Sequence, residues 1–186
     1  MNFTLVCEMV FKDIETWLGR VRAVFEPGPF RVLRIYLPET FSDEPCFEPR
    51  GFGSQATDSE TFTEAEDLCR MILGYLDNKK PIDPPWQWLR FEGLTVLQKQ
   101  VLKAAGKIPF AETRTYGEIA AAVGKPGAAR FVGNTMAANP YPLIIPCHRV
   151  IKSSGDAGGF GGGAKMKKNL LAHEAGAEHT VLAHRK

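Results

Sequence analysis

The apolar residues near the start of the chain alternate with other residues. Residues 3–11, FTLVCEMVF, place an apolar side chain at every odd position, which predicts a β-strand. Two further apolar segments, residues 17–25 and 30–37, flank the turn sequence EPGP and predict a hairpin. Residues 38–60 favour loop. A helix is then expected to begin near Thr63, which is spaced to form a capping box with Glu66.

A proline-rich segment, DNKKPIDPPWQW, predicts a linker and places a domain boundary near residue 85. Residues 1–85 are then a small α/β domain, to which we assign a structural role because no pattern in it indicates chemistry. Residues 86–186 contain more helix signals. The segment LTVLQKQVLKAAG has one apolar helical face, and its last residue, Gly106, suits the C-terminal stop of a helix.

Two short helices joined by a glycine turn are predicted next. Thr115 and Glu118 form a capping box for the first, which is expected to end at Gly124, and the second covers residues 127–138. The pair predicts either a helix-turn-helix or a simple αα-corner. Small side chains surround Arg130 in the second helix. They suit close approach to a partner, either in a DNA minor groove or in helix–helix packing.

The composition is that of a globular protein with one large or two small domains, but its charge is unevenly distributed. Residues 1–90 carry 10 Lys+Arg and 15 Asp+Glu, a net charge of −5, whereas residues 91–186 carry 13 and 6, a net charge of +7. The asymmetry reflects either chance variation or a polyanionic partner for the C-terminal half. No apolar segment approaches the length of a membrane span, and the N-terminus lacks the features of a secretory signal. We therefore expect no membrane partner.

The four cysteines, at positions 7, 46, 69 and 147, include no CxxC pair, and all four histidines follow the last of them. This spacing does not fit a zinc site, so we expect reduced thiols and no bound metal.

Cys147 lies in the sequence NPYPLIIPCHRV, where three prolines before it predict a rigid, extended segment. A lone thiol is usually a buried structural residue. The adjacent His148 indicates a second interpretation, in which it accepts the thiol proton through a water and Glu174 orients the imidazole. Cys147 would then act as a nucleophile.

The glycine-rich sequence IKSSGDAGGFGGGAKMKKNLL has two interpretations. Its composition is that of a flexible linker, and its match to a dinucleotide-binding fingerprint is weak because no βαβ pattern surrounds it. We favour a mobile loop that closes one side of a pocket, with Phe160 as an aromatic wall for a planar base.

The sequence IPCHRV, with TYGEIAAAVGKPGAARFVGNTMAANP before it and LLAHE after the glycine segment, resembles the O6-alkylguanine-DNA alkyltransferase family. The resemblance covers residues 91–176 in order. It implies an α+β fold, with a small N-terminal ribonuclease H-like α/β domain and a mainly helical C-terminal domain that contains a winged helix-turn-helix. It also implies repair of DNA by transfer of an alkyl group from O6 of guanine, and from O4 of thymine, to Cys147 after nucleotide flipping.

The family's residue roles carry over to the matching positions. Arg130 matches the side chain that fills the space left by the flipped nucleotide, and Tyr116 matches the residue that donates towards a ring nitrogen of the departing base. His148 and Glu174 match the relay that activates the thiol, and Asn139 matches the residue that braces the recognition helix. The residues expected to bind the base are Tyr116, Pro142, Cys147, Val150, Gly158, Phe160 and Gly161. Those expected to contact DNA are Tyr116, Gly117, Lys125, Ala128, Ala129, Arg130, Gly133 and Ser153.

The chain departs from many relatives at Phe160, where they carry Tyr, and at Gly161, where they carry a hydroxyl or another side chain. Side-chain hydrogen bonding is lost there, and the backbone N–H of Gly161 remains as a donor to O6. Pro142 and Gly158 indicate a roomy pocket.

The product would be a thioether that the protein cannot hydrolyse, so the resemblance implies one reaction per molecule and no cofactor. The expected partner is double-stranded DNA containing O6-alkylguanine, bound through its minor groove by a monomer in the nucleoid-associated cytoplasm or the nucleus. Two alternatives are a lesion-binding protein without transfer activity and a sequence-specific DNA-binding regulator. The intact Cys147 argues against the first. The shortage of base-reading side chains on residues 127–138 argues against the second.

Overall fold

The computed structural model describes residues 10–26, 29–38, 40, 50–51 and 59–176. The described residues up to 78 form a first unit with four strands, β1 (Val10–Thr16), β2 (Gly19–Glu26), β3 (Arg31–Tyr36) and β4 (Arg50–Gly51). These strands form one sheet in the order β3-β2-β1-β4. The predicted hairpin is confirmed, since β2 and β3 pair antiparallel. β1 also pairs antiparallel with β2, and β4 is parallel to β1.

Two sequence predictions for the first unit differ from the structure or extend beyond the described residues. Most of the strand predicted at residues 3–11 lies outside the described residues, and β1 takes up its last two positions. The predicted loop at 38–60 contains β4 and the start of α1 (Ser59–Asn78). Thr63 is therefore one turn inside the helix, and the capping box predicted there is wrong. Helical periodicity instead places Ala65, Leu68 and Ile72 on one buried face.

The proline-rich segment after α1 is held against the sheet. The backbone N–H of Val32 donates to the carbonyl of Trp88 at 2.6 Å, and the N–H of Arg90 donates to the carbonyl of Val32 at 3.1 Å. These bonds pair both backbone groups of Val32 at the edge of β3, so the segment predicted as a linker is an ordered part of the structure.

The second unit is mainly helical. It contains α2 (Val96–Gly106), β5 (Arg114–Thr115), α3 (Tyr116–Ala122), α4 (Ala129–Ala137), β6 (Val150–Ile151) and α5 (Gly163–Glu174). The capping box between Thr115 and Glu118 is confirmed, and α4 agrees with the helix predicted at 127–138 to within two residues. β5 and β6 form a short parallel pair. The whole is a mixed α+β fold, as predicted.

Gly106 ends α2 for a reason other than the one predicted. The residue after it, Lys107, keeps a right-handed backbone with φ of −89°, so no left-handed stop is present. A Cβ on Gly106 would lie 2.5 Å from the indole ring of Trp86. The glycine is therefore required by close packing, which sequence periodicity does not reveal.

The two units share one apolar core. A continuous cluster of buried side chains runs from the sheet and α1 into α2, α4 and α5. The backbone N–H of Ile35 in β3 also donates to the carbonyl of Pro140 at 2.8 Å, which joins the sheet to the segment before Cys147. Among the described helices, none is long and apolar enough to span a membrane.

Candidate active site

The segment that carries Cys147 is turned, and the prediction of an extended segment is wrong. The N–H of Ile145 donates to the carbonyl of Tyr141 at 2.8 Å, and the N–H of Cys147 donates to the carbonyl of Ile145 at 2.7 Å. Cys147–Arg149 form a single 3-10 turn. Proline fixes φ at its own position and restricts the residue before it, so Leu143 and Ile144 remain able to close turns. The whole segment from residue 141 to 150 is buried.

Asn139 connects the end of α4 to this turn. Its Nδ2 donates to the carbonyl of Ile145 at 2.9 Å, and its Oδ1 accepts from the N–H of Tyr141 at 3.0 Å. Both ends of the amide are therefore used to hold the backbone just before Cys147. The two bonds tie Asn139, which follows the end of α4, to the segment that carries Cys147.

Cys147 lies in the wall of a cavity of about 120 Å³. Cys147 exposes only 3% of its surface. Pro142, Phe160 and Gly161, all expected to bind the base, line the same cavity. Residues 34–37, from the end of β3 and just beyond it, form another part of the wall, which sequence reasoning did not anticipate. A larger cavity of about 600 Å³ between α2 and α3 does not include the cysteine.

His148 and Glu174 form the predicted pair. Nε2 of His148 lies 2.8 Å from Oε1 of Glu174, and the two side chains expose 0% and 1% of their surface. Because an ionised carboxylate only accepts hydrogen bonds, Nε2 carries the proton and Nδ1 is left as an acceptor. Among the buried side-chain atoms described, Nδ1 of His148 is one of two without a hydrogen-bond partner. It is the atom that can take up a proton.

Burial sets the resting charges of the reactive groups. It raises the pKa of the Cys147 thiol, although hydrogen bonding from Asn139 and the charge of Lys167 act in the opposite direction. Burial likewise lowers the pKa of His148, with hydrogen bonding and charge from Glu174 opposing it. The resting site therefore pairs a neutral thiol with a neutral imidazole, which is the state a general-base relay requires.

Glu174 stays ionised despite its position. Burial would raise the pKa of its carboxyl, but hydrogen bonds from His148, Arg149 and Tyr75 outweigh that and lower it to about 2. Its Oε2 also accepts from the backbone N–H of Ala111 at 3.0 Å. The carboxylate is thus a fixed acceptor for the imidazole.

Tyr116 begins α3 and is half-buried. Burial, and then the negative charge that Cys147 would carry, raise the pKa of its phenol, so it is a hydrogen-bond donor at neutral pH. Nζ of Lys167 lies 3.5 Å from its hydroxyl. A Cβ on Gly158, which has a φ of +72°, would lie 2.7 Å from that hydroxyl, so only glycine fits there.

The carbonyl of Val150 has a hydrogen-bond partner within the protein. That oxygen accepts from Nζ of Lys167 at 2.6 Å, so one of its two lone pairs is already engaged within the protein. The ammonium is fully buried and also donates to the carbonyl of Gly159 at 3.3 Å. Burial lowers its pKa to about 8.

The residues expected to contact DNA lie on and around α3 and α4. Gly133 packs against the ring of Tyr116, whose nearest atoms would be 3.9 Å from an added Cβ. Arg130 is exposed on α4. Ala128 and Ala129 are half-buried at its start, and Gly117, Lys125 and Ser153 are exposed like Arg130. Ser153 lies in the turn after β6, away in sequence from the helix pair.

Three residues of the site received no role from the sequence. Arg149 follows the cysteine motif directly, and proximity could have indicated it. Tyr75 and Lys167 have no such signal, since Tyr75 bonds Glu174 across 99 positions of the chain and Lys167 bonds a carbonyl 17 positions away. In the described part of the chain, His, Cys, Asp and Glu side chains form no cluster of three that could hold a metal ion.

Comparisons of the sequence with known proteins find relatives over the part of the chain that contains Cys147. The family model described as the DNA-binding domain of 6-O-methylguanine DNA methyltransferase matches residues 96–176. A methylated-DNA–protein-cysteine methyltransferase from Methanothermobacter thermautotrophicus is 40% identical over 124 residues, which are 67% of this chain and 69% of the relative. The protein of the same name from Mycobacterium leprae is 51% identical over 88 residues, 47% of this chain and about half (52%) of its own length.

Solved structures resemble the chain over a longer stretch. The crystal structure of Mycobacterium tuberculosis OGT in complex with DNA is 31% identical, with a TM-score of 0.73, and the match covers 93% of this chain and 97% of that one. The O6-methylguanine-DNA methyltransferase of Pyrococcus kodakaraensis, 24% identical with a TM-score of 0.62 over 89% of this chain and 98% of that one, shows the shared fold. The chain belongs to the methylated-DNA–protein-cysteine methyltransferase family.

Proposed function

We propose that the protein repairs alkylated DNA by transferring an alkyl group from O6 of guanine, and from O4 of thymine, to Sγ of Cys147. The observation that carries this proposal is the position of Cys147 in a cavity wall, next to a His148 whose Nδ1 lacks a partner. A nucleophile beside a base that is itself oriented by a carboxylate is the arrangement that activated nucleophiles require. The names of the relatives support the same reaction.

Binding to duplex DNA precedes the transfer. The exposed Arg130 on α4, the small residues around it and the positive C-terminal half favour contact with a minor groove. Arg130 would occupy the space of the flipped nucleotide, and Gly117, Lys125 and Ser153 would contact the backbone nearby. The M. tuberculosis structure in complex with DNA supports a nucleic-acid partner.

The proposal extends to the fold of the two parts of the chain. Residues 1–85 form a ribonuclease H-like domain, and residues 86–186 form the DNA-binding and transfer domain with a winged helix-turn-helix built on α3 and α4. The protein acts as a monomer wherever the DNA lies, in the nucleoid-associated cytoplasm or the nucleus.

The transfer is a single displacement. The thiol proton of Cys147 passes through a water to Nδ1 of His148, and the thiolate attacks the alkyl carbon. An S–C bond forms as the C–O6 bond breaks, and guanine leaves with its electron pair. Tyr116 donates towards a ring nitrogen of the departing base. Because a thioether resists hydrolysis, each molecule reacts once.

The remaining pocket residues position the base. Phe160 would stack on the purine, and the N–H of Gly161 would donate to O6. The carbonyls of Cys147 and Val150 would accept from the exocyclic amine, with Val150 using its second lone pair. Pro142 closes the cavity beside the sulfur.

Intact-protein mass spectrometry after incubation with an O6-methylguanine duplex tests the proposal. One methyl group per molecule is expected, located on Cys147 by peptide mapping, and none in Cys147→Ser. Cys69→Ser removes another free thiol, half-buried in α1, and should transfer normally. Tight binding of the damaged duplex without any adduct would instead favour a lesion-binding protein.

Arg130→Ala separates flipping from chemistry. It should slow transfer from duplex DNA far more than reaction with the free alkylated base, because only the duplex requires extrusion. Equal slowing of both reactions would refute the flipping role.

A further inference from the structure

A tyrosine from the first unit reaches the relay. Tyr75 lies near the end of α1 and is fully buried. Its hydroxyl oxygen lies 2.7 Å from Oε1 of Glu174 and 3.1 Å from Nε2 of His148. The helix that carries it belongs to the part of the chain expected to be structural only.

The proton positions around Tyr75 have one consistent assignment. Burial, and then the charge and hydrogen bond of Glu174, raise the pKa of its phenol, so the hydroxyl keeps its proton. The Glu174 carboxylate accepts from this hydroxyl and from Nε2 of His148. Nε2 of His148 is then a donor to Glu174, and the phenol oxygen of Tyr75 is close enough to accept from the same N–H. The arrangement fixes the imidazole in the tautomer whose Nδ1 is free to accept.

The phenol ring is itself held in place. It packs edge-on against Phe110, with ring centroids 6.2 Å apart, and edge-on against His173 at 5.7 Å. The backbone carbonyl of Tyr75 lies 2.9 Å from Nε2 of His173 on α5. Because both ends of this contact are buried, α1 and α5 are fastened to each other beside the relay.

The hydroxyl of Tyr75 also weakens the effect that the negative charge of Glu174 has on the pKa of His148. A carboxylate next to an imidazole stabilises the protonated ring, and every further donor to that carboxylate weakens the effect. Oε1 of Glu174 receives hydrogen bonds from Tyr75, His148 and Arg149. When one of these donors is removed, the negative charge of Glu174 acts more strongly on the donors that remain, His148 included.

We propose that Tyr75 is a positioning residue for alkyl transfer: its hydroxyl holds Oε1 of Glu174 and, through it, the tautomer and neutrality of His148. The inference rests on the proposed function for its kinetic consequence. It makes the first unit a participant in the chemistry, acting through two residues of the second.

Several charged or titratable groups act on His148 from the surrounding elements. They are Tyr75 on α1, Cys147 and Arg149 in the 3-10 turn, and Lys167 and Glu174 on α5. Tyr75→Phe changes only one of them and keeps the ring that packs against Phe110 and His173.

The experiment compares wild type, Tyr75→Phe and Tyr141→Phe. Tyr141 is also fully buried, and its hydroxyl donates to the carbonyl of Arg90, so its variant loses a buried hydroxyl bond outside the relay. Two quantities are measured: the pKa of His148 by NMR titration of its ring, and the rate of transfer from duplex DNA as a function of pH.

Tyr75→Phe should raise the pKa of His148 by about half a unit or more and move the acid limb of the rate profile upward equally, with about a threefold or greater loss of rate below that limb. Tyr141→Phe should leave the pKa of His148 and the pH of the acid limb unchanged. Replacing Tyr75 with 3-fluorotyrosine strengthens the donor and should lower the pKa of His148. This opposite shift tests the inference even if Tyr75→Phe folds poorly.

An unmoved His148 titration in the Tyr75 variants would overturn the inference, and so would a uniform loss of rate with an unmoved acid limb. Failure of the wild type to form an adduct would refute the proposed function alone, because the NMR titration reports on Tyr75 without any transfer.

Discussion

Arg149 holds both carboxylate oxygens of Glu174 through its Nε, which lies 3.1 Å from Oε1 and 3.0 Å from Oε2. Its Nη1 also donates to the carbonyl of Ile108 at 2.7 Å, so one guanidinium fastens the end of α5 to the residues after α2. Since Glu174 also accepts from His148, the ion pair that stabilises the fold and the relay that serves Cys147 share a carboxylate. Changes to this group therefore alter stability and chemistry together.

Glu174→Gln should reduce the free energy of unfolding by about 3–5 kcal/mol, because it leaves the buried charge of Arg149 without its partner. Glu112→Gln is the matched control. Glu112 pairs with Arg114 at 2.9 Å, but both side chains are more than 40% exposed, so its loss should cost less than about 1 kcal/mol. Urea denaturation of the two variants measures the difference. A similar loss of unfolding free energy in both variants would contradict the stabilising role of the buried pair of Glu174 and Arg149.

Stability should fall on acidification in two stages. The lowered pKa of His148 means that protonation favours the unfolded chain below the ordinary value of 6.5. The pKa of Glu174 is about 2 in the fold against an ordinary 4.5, so its contribution is present above pH 4.5 and lost as the pH falls towards 2. Melting temperatures measured from pH 7 to pH 3 should decline from near pH 6.5 and more steeply below 4.5.

Glu174→Gln provides the control for this profile. The variant lacks the carboxyl that titrates in the lower stage, so its melting temperature should vary less below pH 4.5 than that of the wild type. A wild-type profile that stays flat over that range would show that the ion pair contributes no net stability.

Gly158→Ala should slow alkyl transfer, whereas Gly155→Ala, a variant of similar stability, should not. An alanine there must adopt a φ of +72° and would place its Cβ 2.7 Å from the hydroxyl of Tyr116. Gly155→Ala shares the strain, with a φ of +84°, but has no atom within 4 Å of the added carbon. Both variants should lose about 1–2 kcal/mol, and only Gly158→Ala should displace Tyr116. Equal transfer rates in the two would mean that the position of the phenol does not matter.

Local sequence signals predicted the helices of the second unit and the residues nearest the cysteine. The capping box of Thr115 and Glu118 depends on side chains three positions apart, and this interaction can be recognised without knowledge of the fold. The hairpin of β2 and β3 likewise pairs two strands that follow each other in the sequence. Both predictions were confirmed because the interactions responsible are short in sequence.

Local sequence signals were insufficient at three places. Thr63 resembles a cap, yet α1 begins at Ser59. Three prolines favoured an extended approach to Cys147, but burial against the sheet and the brace from Asn139 select turns. Tyr75 received no role because its partner, Glu174, is 99 positions away. Buried polar contacts of this kind are set by how the units pack, which local periodicity does not encode.

Lys167→Met removes hydrogen bonds from a charged group, which contribute about 1.5–3 kcal/mol each. If about 1.4 kcal/mol of this is lost from the transition state, the rate of transfer falls about tenfold. The buried ammonium ties β6 to the glycine-rich segment through the carbonyls of Val150 and Gly159. Its pKa of about 8 means that it loses its charge as the pH rises through that value, so the wild-type rate should fall on the alkaline side and the variant should lack that limb. Lys168→Met, the exposed neighbour, should keep both the rate and the limb. Single-turnover transfer measured from pH 6 to pH 10 distinguishes them, and an alkaline limb retained in Lys167→Met would assign it to another group.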